Sequence, residues 1–361
     1  MGGLLLLEDG RRFEGEAFGA RGLRVGEVVF NTAMTGFQEV LTDPSYHEQI
    51  VVMTYPHIGN TGVNTDDPES RKVWVSGFVA REFSRRHSSH RAEEGLDHYL
   101  RAAGVPALQG IDTRALVRHI REAGAMKGVV CTDGSTVEQM QAAMDAWPGM
   151  VGRALAAEVT SEDVSIAHDP SDARLRVTVV DGGAKRNIVR LLKEANCRVR
   201  VAPITATAET WAADDTDLVL FSNGPGDPAA LPDVIGQIRG LVGEKPLAGI
   251  CLGHQLLALA LGAETFKLRF GHRGANHPVR DLETGRVEIT SQNHGFCVEP
   301  ESLATTGASV THTNLNDKTV AGFHHADKRV MGIQFHPEAS PGPRDASHLI
   351  VDRFLRFAES G

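Results

Sequence analysis

The chain has 361 residues, 41% of them apolar and 23% charged, and a formal net charge of −9 from 37 basic and 46 acidic residues. This is the composition of a soluble globular protein with room for two ordinary domains. The acidic balance argues against nucleic acid or an anionic membrane as the main partner, and no apolar run reaches the roughly 20 residues a spanning helix needs.

The opening "MGGLLLLEDGRRFEGE" has four consecutive leucines but no basic segment before them, so it does not read as a signal peptide. Leu6 stands where an N-myristoylation motif needs Ser or Thr. Residues 1–155 read as a mixed, β-rich α/β domain of short apolar runs broken by glycines and polar turns. Within it, "IDTRALVRHIREAGAMKG" predicts an amphipathic helix. Leu116, Ile120 and Ala123 share its apolar face, Gly124 caps its end, and Arg114, Arg118 and Arg121 lie around the other side. On sequence alone the arginines read as an ordinary solvated face. Residues 156–174 are polar, include Pro170, and read as a linker.

From residue 175 to 361 the pattern changes. "LRVTVVDGG", "RVRVAPI", "TDLVLFSNGPGDP" and "PLAGI" read as strands. They alternate with the helical stretches "NIVRLLKEANC" and "DVIGQIRGLV" and the run after Cys251. "RVMGIQF" is a later strand, and "ASHLIVDRFLRFA" is a C-terminal amphipathic helix. Such alternation predicts an open, mostly parallel sheet with helices on both faces. Ligands bind such sheets at the carboxyl ends of the strands.

The chemistry-bearing residues fall there. Gly249-Ile250-Cys251-Leu252-Gly253 has the form G-x-C-x-G, the thiol version of a nucleophile elbow. The flanking glycines suit a turn where a Cβ would clash, and the helix N-terminus favours a thiolate. Downstream, "GIQFHPEAS" carries an apolar strand into His336 and Glu338. The residue before a proline is held extended, and positions i and i+2 of an extended chain point the same way. Glu338 can therefore orient the imidazole of His336, as a base and its orienter do in a catalytic triad.

The third piece is "SNGPGDPA". Gly224, Gly226 and Ala229 match a dinucleotide fingerprint, but the motif follows the third strand of the domain, and Pro225 and Pro228 remove amide donors. The better reading is a loop whose Gly224 N–H, with that of Leu252, faces a developing oxyanion. No G-x-x-x-x-G-K-[ST] phosphate loop occurs, so the chain shows no ATP site of that kind. The four cysteines, Cys131, Cys197, Cys251 and Cys297, form no C-x-x-C pair. Neither a metal site nor a disulfide framework is indicated, and free thiols fit a reducing cytoplasm. Cys131, Cys197 and Cys297 lack a base or an elbow and read as packing residues. His254 and His294 border the motifs, and structural hydrogen bonding is their expected work. His324 and His325 are adjacent on a strand and would face opposite ways, against a metal site.

With these residues in place, the chain resembles class I glutamine amidotransferases in the order of "NGPGDP", Cys251, His336 and Glu338. "FNTAMTGFQEVLTDPSYHEQIVVMTYPHIGN", "TRALVRHIREAGAMKG", "DGGAKRNIVR", "SQNHGFCV" and "QFHPEASPGP" resemble, more closely, the small glutamine-hydrolysing subunits of carbamoyl-phosphate synthetase. The likeness covers essentially the whole chain. One departure is Gly182, where that family usually carries a bulky aromatic residue.

The resemblance implies that Cys251, His336 and Glu338 are catalytic. It further implies that Ser45, Gly224, Gly226, Leu252, Gln255, Asn293, Gly295 and Phe296 contact glutamine. Ammonia would pass through an internal tunnel to a large synthetase subunit, feeding pyrimidine and arginine synthesis. No metal or cofactor would sit in this chain; ATP, magnesium and bicarbonate would belong to the large subunit, and the location would be cytoplasmic. Two alternatives stay open at this level: the glutaminase subunit of a different class I amidotransferase, and a non-catalytic regulatory subunit that retains the fold.

Overall fold

A computed structural model describes residues 2–213 and 215–359. The chain divides into two compact units. One runs up to Val151 and takes in Arg269–Arg273; the other comprises Gly152–Leu268 and the chain from Gly274 onward.

In the first unit, strand Gly2–Leu7 pairs antiparallel with Arg12–Gly19 through a tight hairpin and, on its other edge, with Met126–Cys131. That second pairing brings residues more than a hundred positions apart side by side and closes a barrel. Its remaining strands are Leu23–Asn31, Gln49–Met53, Gly77–Val79 and Pro106–Gln109. Alternate residues of these strands go to different apolar clusters, as the two-residue period of a strand requires. Val28, Ile50 and Val52 pack with Leu5 and Leu108, while Val29 and Val51 pack with Phe37, Leu41 and Phe78.

Helix Thr113–Ala123 seats Leu116 and Ile120 in the first of these clusters. Its start is capped by the Asp112 carboxylate, which accepts from the Ala115 amide at 2.9 Å. Gly124 ends it as expected. Ala123, expected on the buried face, is exposed at the helix's last turn, beyond Leu116 and Ile120 that seat the helix.

The second unit is built on a ten-stranded sheet. Its centre is parallel, in the order Arg198–Pro203, Arg176–Asp181, Leu218–Phe221, Leu247–Ile250 and Val330–Ile333. Leu218–Phe221 and Leu247–Ile250 are buried throughout, which is why they read as continuous apolar runs. Val219 and Phe221 face the helices Pro232–Leu241 and Leu252–Leu261, whereas Leu218 and Leu220 face Arg186–Glu194 and the C-terminal helix. Residues Ile350–Leu355 of that last helix are wound as a π-helix.

Antiparallel strands extend the sheet beyond Val330–Ile333, beginning with Val320–His325 and Ser309–Asn314. The stretch expected as a linker is structured. It contains helix Ala156–Val159 and strand Ser165–His168, which pairs antiparallel with Arg198–Pro203 at the sheet's edge. An edge strand with one bare side is polar enough to resemble a linker. No helix among the described residues is long and apolar enough to cross a membrane.

Candidate active site

Four neighbouring parallel strands stop at one level. Val180 pairs with Phe221, Phe221 with Gly249, and Ile250 with Ile333. Their following loops hold Lys185, Ser222–Gly226, Cys251 and His336–Glu338 at one carboxyl edge.

Cys251 is the sharpest point of this edge. Its φ of 54° and ψ of −101° lie outside the comfortable regions for an L-residue, as at a nucleophile elbow. Its amide donates to Ile333 O at 2.9 Å and its carbonyl accepts from the Gln255 amide at 3.1 Å, so strand and helix both grip the turn. The flanking glycines are required by close approach. A Cβ on Gly249 would lie 2.4 Å from the carbonyl carbon of Gly253, and one on Gly253 would lie 2.1 Å from Phe221 O. Cys251 caps a ten-residue helix, and its Sγ sits 3.6 Å from Asn293 O.

His336 and Glu338 meet as the sequence implied. His336 Nδ1–H donates to Glu338 Oε1 at 2.6 Å, with both side chains fully buried. The His336 amide donates to Ser291 O at 2.9 Å and holds the backbone extended. Burial works against a charged imidazole, but the Glu338 carboxylate outweighs it, with help from Cys251, and pushes His336 up to about 10. Glu338 is likewise penalised by burial, yet Lys185 and His336 hold it down at about 2. His336 Nε2 is buried and has no hydrogen-bond partner among the described residues, leaving that nitrogen for a reacting group.

Lys185 escapes a reading of the sequence. Its ammonium, 2% exposed, stands 2.8 Å from Glu338 Oε1 and also donates to Ser340 O at 3.1 Å and to Ala339 O. Asn187 Nδ2 donates to the Glu338 carbonyl. Lysine is almost never fully buried unless paired, so composition gives no hint of such a position. The only available signal is its place in the loop after the domain's first parallel strand.

The loop after strand Leu218–Phe221 carries the "NGPG" segment. Ser222 Oγ accepts from the Gly182 amide at 3.0 Å, and Asn223 Oδ1 accepts from the Lys185 amide at 3.1 Å. The backbone N–H groups of Gly224 and Leu252 donate to no partner among the described residues. Gly182 lies under Ile204 and Leu252. A Cβ there would come within 3.1 Å and 3.3 Å of their methyl carbons, so these side chains occupy the space next to the glycine.

Gln255 is buried, not exposed as a lone helix residue would be; its Nε2 donates to Phe296 O at 2.7 Å and to Gln334 Oε1 at 3.1 Å. It thereby ties the helix that begins after Cys251 to the strand that carries Asn293, Gly295 and Phe296. Gly226 belongs to the loop pinned by the Asp227 amide, which donates to Arg153 O at 3.0 Å. Ser45 lies in the barrel unit, buried in the turn Pro44–Tyr46, with its amide bonded to Asp43 Oδ1 at 2.9 Å.

The other histidines and thiols have structural positions. His294 bonds through both ring nitrogens, to Phe296 O at 2.8 Å and Gln292 Oε1 at 2.9 Å. His254 packs its ring against Phe323 at 4.9 Å and against Gly332, and burial pushes it down to about 3, a structural position. All four cysteines are free and buried; burial pushes the Cys197 thiol up to about 11 and the Cys297 thiol well above its ordinary range.

Comparison with known proteins matches this geometry to two family descriptions. Residues 5–130 match the carbamoyl-phosphate synthase small chain, CPSase domain, and residues 178–356 match glutamine amidotransferase class-I. The chain is 51% identical over 355 residues to the carbamoyl phosphate synthase small chain of Bacillus caldolyticus, covering 97% of this chain and 95% of that one. The chain belongs to the carbamoyl-phosphate synthase small-chain family. Another small chain, from Akkermansia muciniphila, is 49% identical over 360 residues, covering 98% of this chain and 96% of that one. A third, from Thermosynechococcus vestitus, is 51% identical over 361 residues, covering 96% and 94%. Within the small-chain family's two-part plan, the barrel unit carries the small-chain-specific match, and Cys251, His336 and Glu338 fall in the amidotransferase match.

Proposed function

We propose that this chain hydrolyses glutamine to glutamate and ammonia and hands the ammonia to a large synthetase chain that makes carbamoyl phosphate. The observation that carries the reading is the strained, helix-capping Cys251 beside a buried, charge-paired His336.

Cys251 Sγ attacks the side-chain amide carbon of glutamine while His336 takes the thiol proton. Because the Glu338 carboxylate stabilises the charged ring, transfer of the thiol proton to His336 is favoured. The tetrahedral oxyanion is met by the Gly224 and Leu252 amides. As the C–N bond breaks, His336 returns the proton to the leaving nitrogen and ammonia departs. Water then adds to the γ-glutamyl thioester, giving up a proton to His336. The C–S bond breaks, the thiol is restored, and glutamate leaves. Glu338 keeps the imidazole oriented, and Lys185 keeps Glu338 ionised.

Gly226, Gln255, Asn293, Gly295 and Phe296 complete the glutamine contacts in this reading, and Ser45 joins them from the barrel unit. ATP, magnesium and bicarbonate are assigned to the large chain, and the product to pyrimidine and arginine synthesis in the cytoplasm. The test is to quench the protein during turnover with glutamine and search its Cys251 peptide by mass spectrometry for a γ-glutamyl adduct. The adduct is expected in wild type and absent in Cys251→Ala. An adduct on another residue, or none under any quench time, contradicts the assignment.

A further inference from the structure

The catalytic reading leaves one feature of the barrel unit unused. Helix Thr113–Ala123 needs only Leu116 and Ile120 for its packing. On another face, Arg114, Arg118 and Arg121 follow one another at i, i+4 and i+7, all exposed, and therefore form a single stripe. With Val117, Thr113 and Thr54 they line a cavity of about 350 Å³.

Among the described residues none of these arginines makes an ion pair or a side-chain hydrogen bond. Elsewhere in the same unit Arg91 meets Asp67 at 2.5 Å and Arg101 meets Asp97 at 2.8 Å. Even His119, on this same helix, meets Asp9 at 2.7 Å. Three like charges at one-turn spacing cost a helix a few tenths of a kcal/mol per pair; on the helix itself Glu122, four residues after Arg118, is the acidic residue placed to offset part of that cost.

The stripe's chemistry favours carboxylates. All three cations are guanidiniums, which are weakly hydrated and pair with carboxylates in a planar fork that survives desolvation. Arginine is enriched where protein surfaces meet, and Val117 adds an apolar floor. A free phosphate is less suited: the helix N-terminus beside the cavity is already occupied by the chain's own Asp112 carboxylate. The stripe also falls within residues 5–130, the part matched by the small-chain description and not by the amidotransferase one. It is thus placed to serve what sets this family apart from other amidotransferases.

We propose that Arg114, Arg118 and Arg121 form a docking surface for acidic side chains of the large synthetase chain. The inference rests on the proposed pairing with that chain.

The test measures association of the full-length protein with the large chain, by sedimentation at low and at moderate salt. Variants are Arg118→Glu, the double Arg114→Glu/Arg121→Glu, and the conservative Arg118→Lys. Charge reversal is expected to weaken association about tenfold or more and to flatten its salt dependence, with unchanged melting curves; Arg118→Lys should lose less. Wild-type affinity and salt slope in a folded Arg118→Glu protein overturn the docking surface. So does full association accompanied by saturable binding of inorganic phosphate that Arg118→Glu abolishes, which assigns the cavity to a small oxyanion. If wild type itself fails to associate, the pairing behind the proposed function falls, and this surface with it.

Discussion

Lys185 and His336 both meet Glu338 Oε1 in a buried cluster, and Glu338 and His336 shift each other's protonation. The consequences for stability have definite signs. Glu338 is depressed from 4.5 to about 2, so its contribution is complete above the unfolded value and is lost as pH falls through about 2. His336 is raised from 6.5 to about 10, so its contribution is complete below the unfolded value and is lost as pH rises through about 10. Lys185→Met removes the main cation on Glu338, and the acid-side loss should begin at higher pH. Glu338→Gln removes what raises His336, and the alkaline-side loss should vanish because burial alone drives a histidine downward. Urea midpoints measured across pH check both shifts; parallel profiles for wild type and variants would contradict the coupling. At this scale His336 and Glu338 were legible, because a proline between them fixes the backbone. Lys185 was not, because its partner lies 153 positions away and lysine is ordinarily a surface residue.

At the scale of elements, the site is one edge of a parallel sheet meeting one helix. The elbow depends on backbone passing over backbone at Gly249 and Gly253. Gly253→Ala would force a Cβ to within 2.1 Å of Phe221 O, so strand and helix must separate. The expected cost is about 1–3 kcal/mol of stability, as for an overpacked core, with loss of thioester formation because Cys251 moves. A melting curve near wild type with full activity would show that the turn tolerates the atom. The strands and helices around this turn were readable from alternation and from apolar runs. The barrel's closure was not, since Gly2–Leu7 and Met126–Cys131 pair across most of the unit and neither strand names its partner. The segment 156–174 misleads for a related reason: strand Ser165–His168 pairs along one edge only, and polar residues cover the rest. The excursion of Arg269–Arg273 into the barrel unit left no trace in composition either. It is fixed by contacts such as the Thr32 amide donating to Arg273 O at 3.2 Å.

For the whole molecule, the proposed chemistry and the proposed docking surface fall in different units. Cys251, His336 and Glu338 lie in one, and the arginine stripe in the other. The elbow turn and the His336–Glu338 pair were legible because they are local patterns, whereas barrel closure and sheet extension are long-range pairings. The central claim is that Cys251 exists to supply ammonia to a partner that can also take ammonia from solution. The most direct measurement is carbamoyl phosphate formation by the chain combined with its large chain, with glutamine or with ammonium salt as nitrogen source, in wild type and Cys251→Ser. The account predicts that the variant loses glutamine-dependent synthesis by at least about a thousandfold and keeps ammonia-dependent synthesis at the wild-type rate. Equal use of glutamine by both proteins would contradict it.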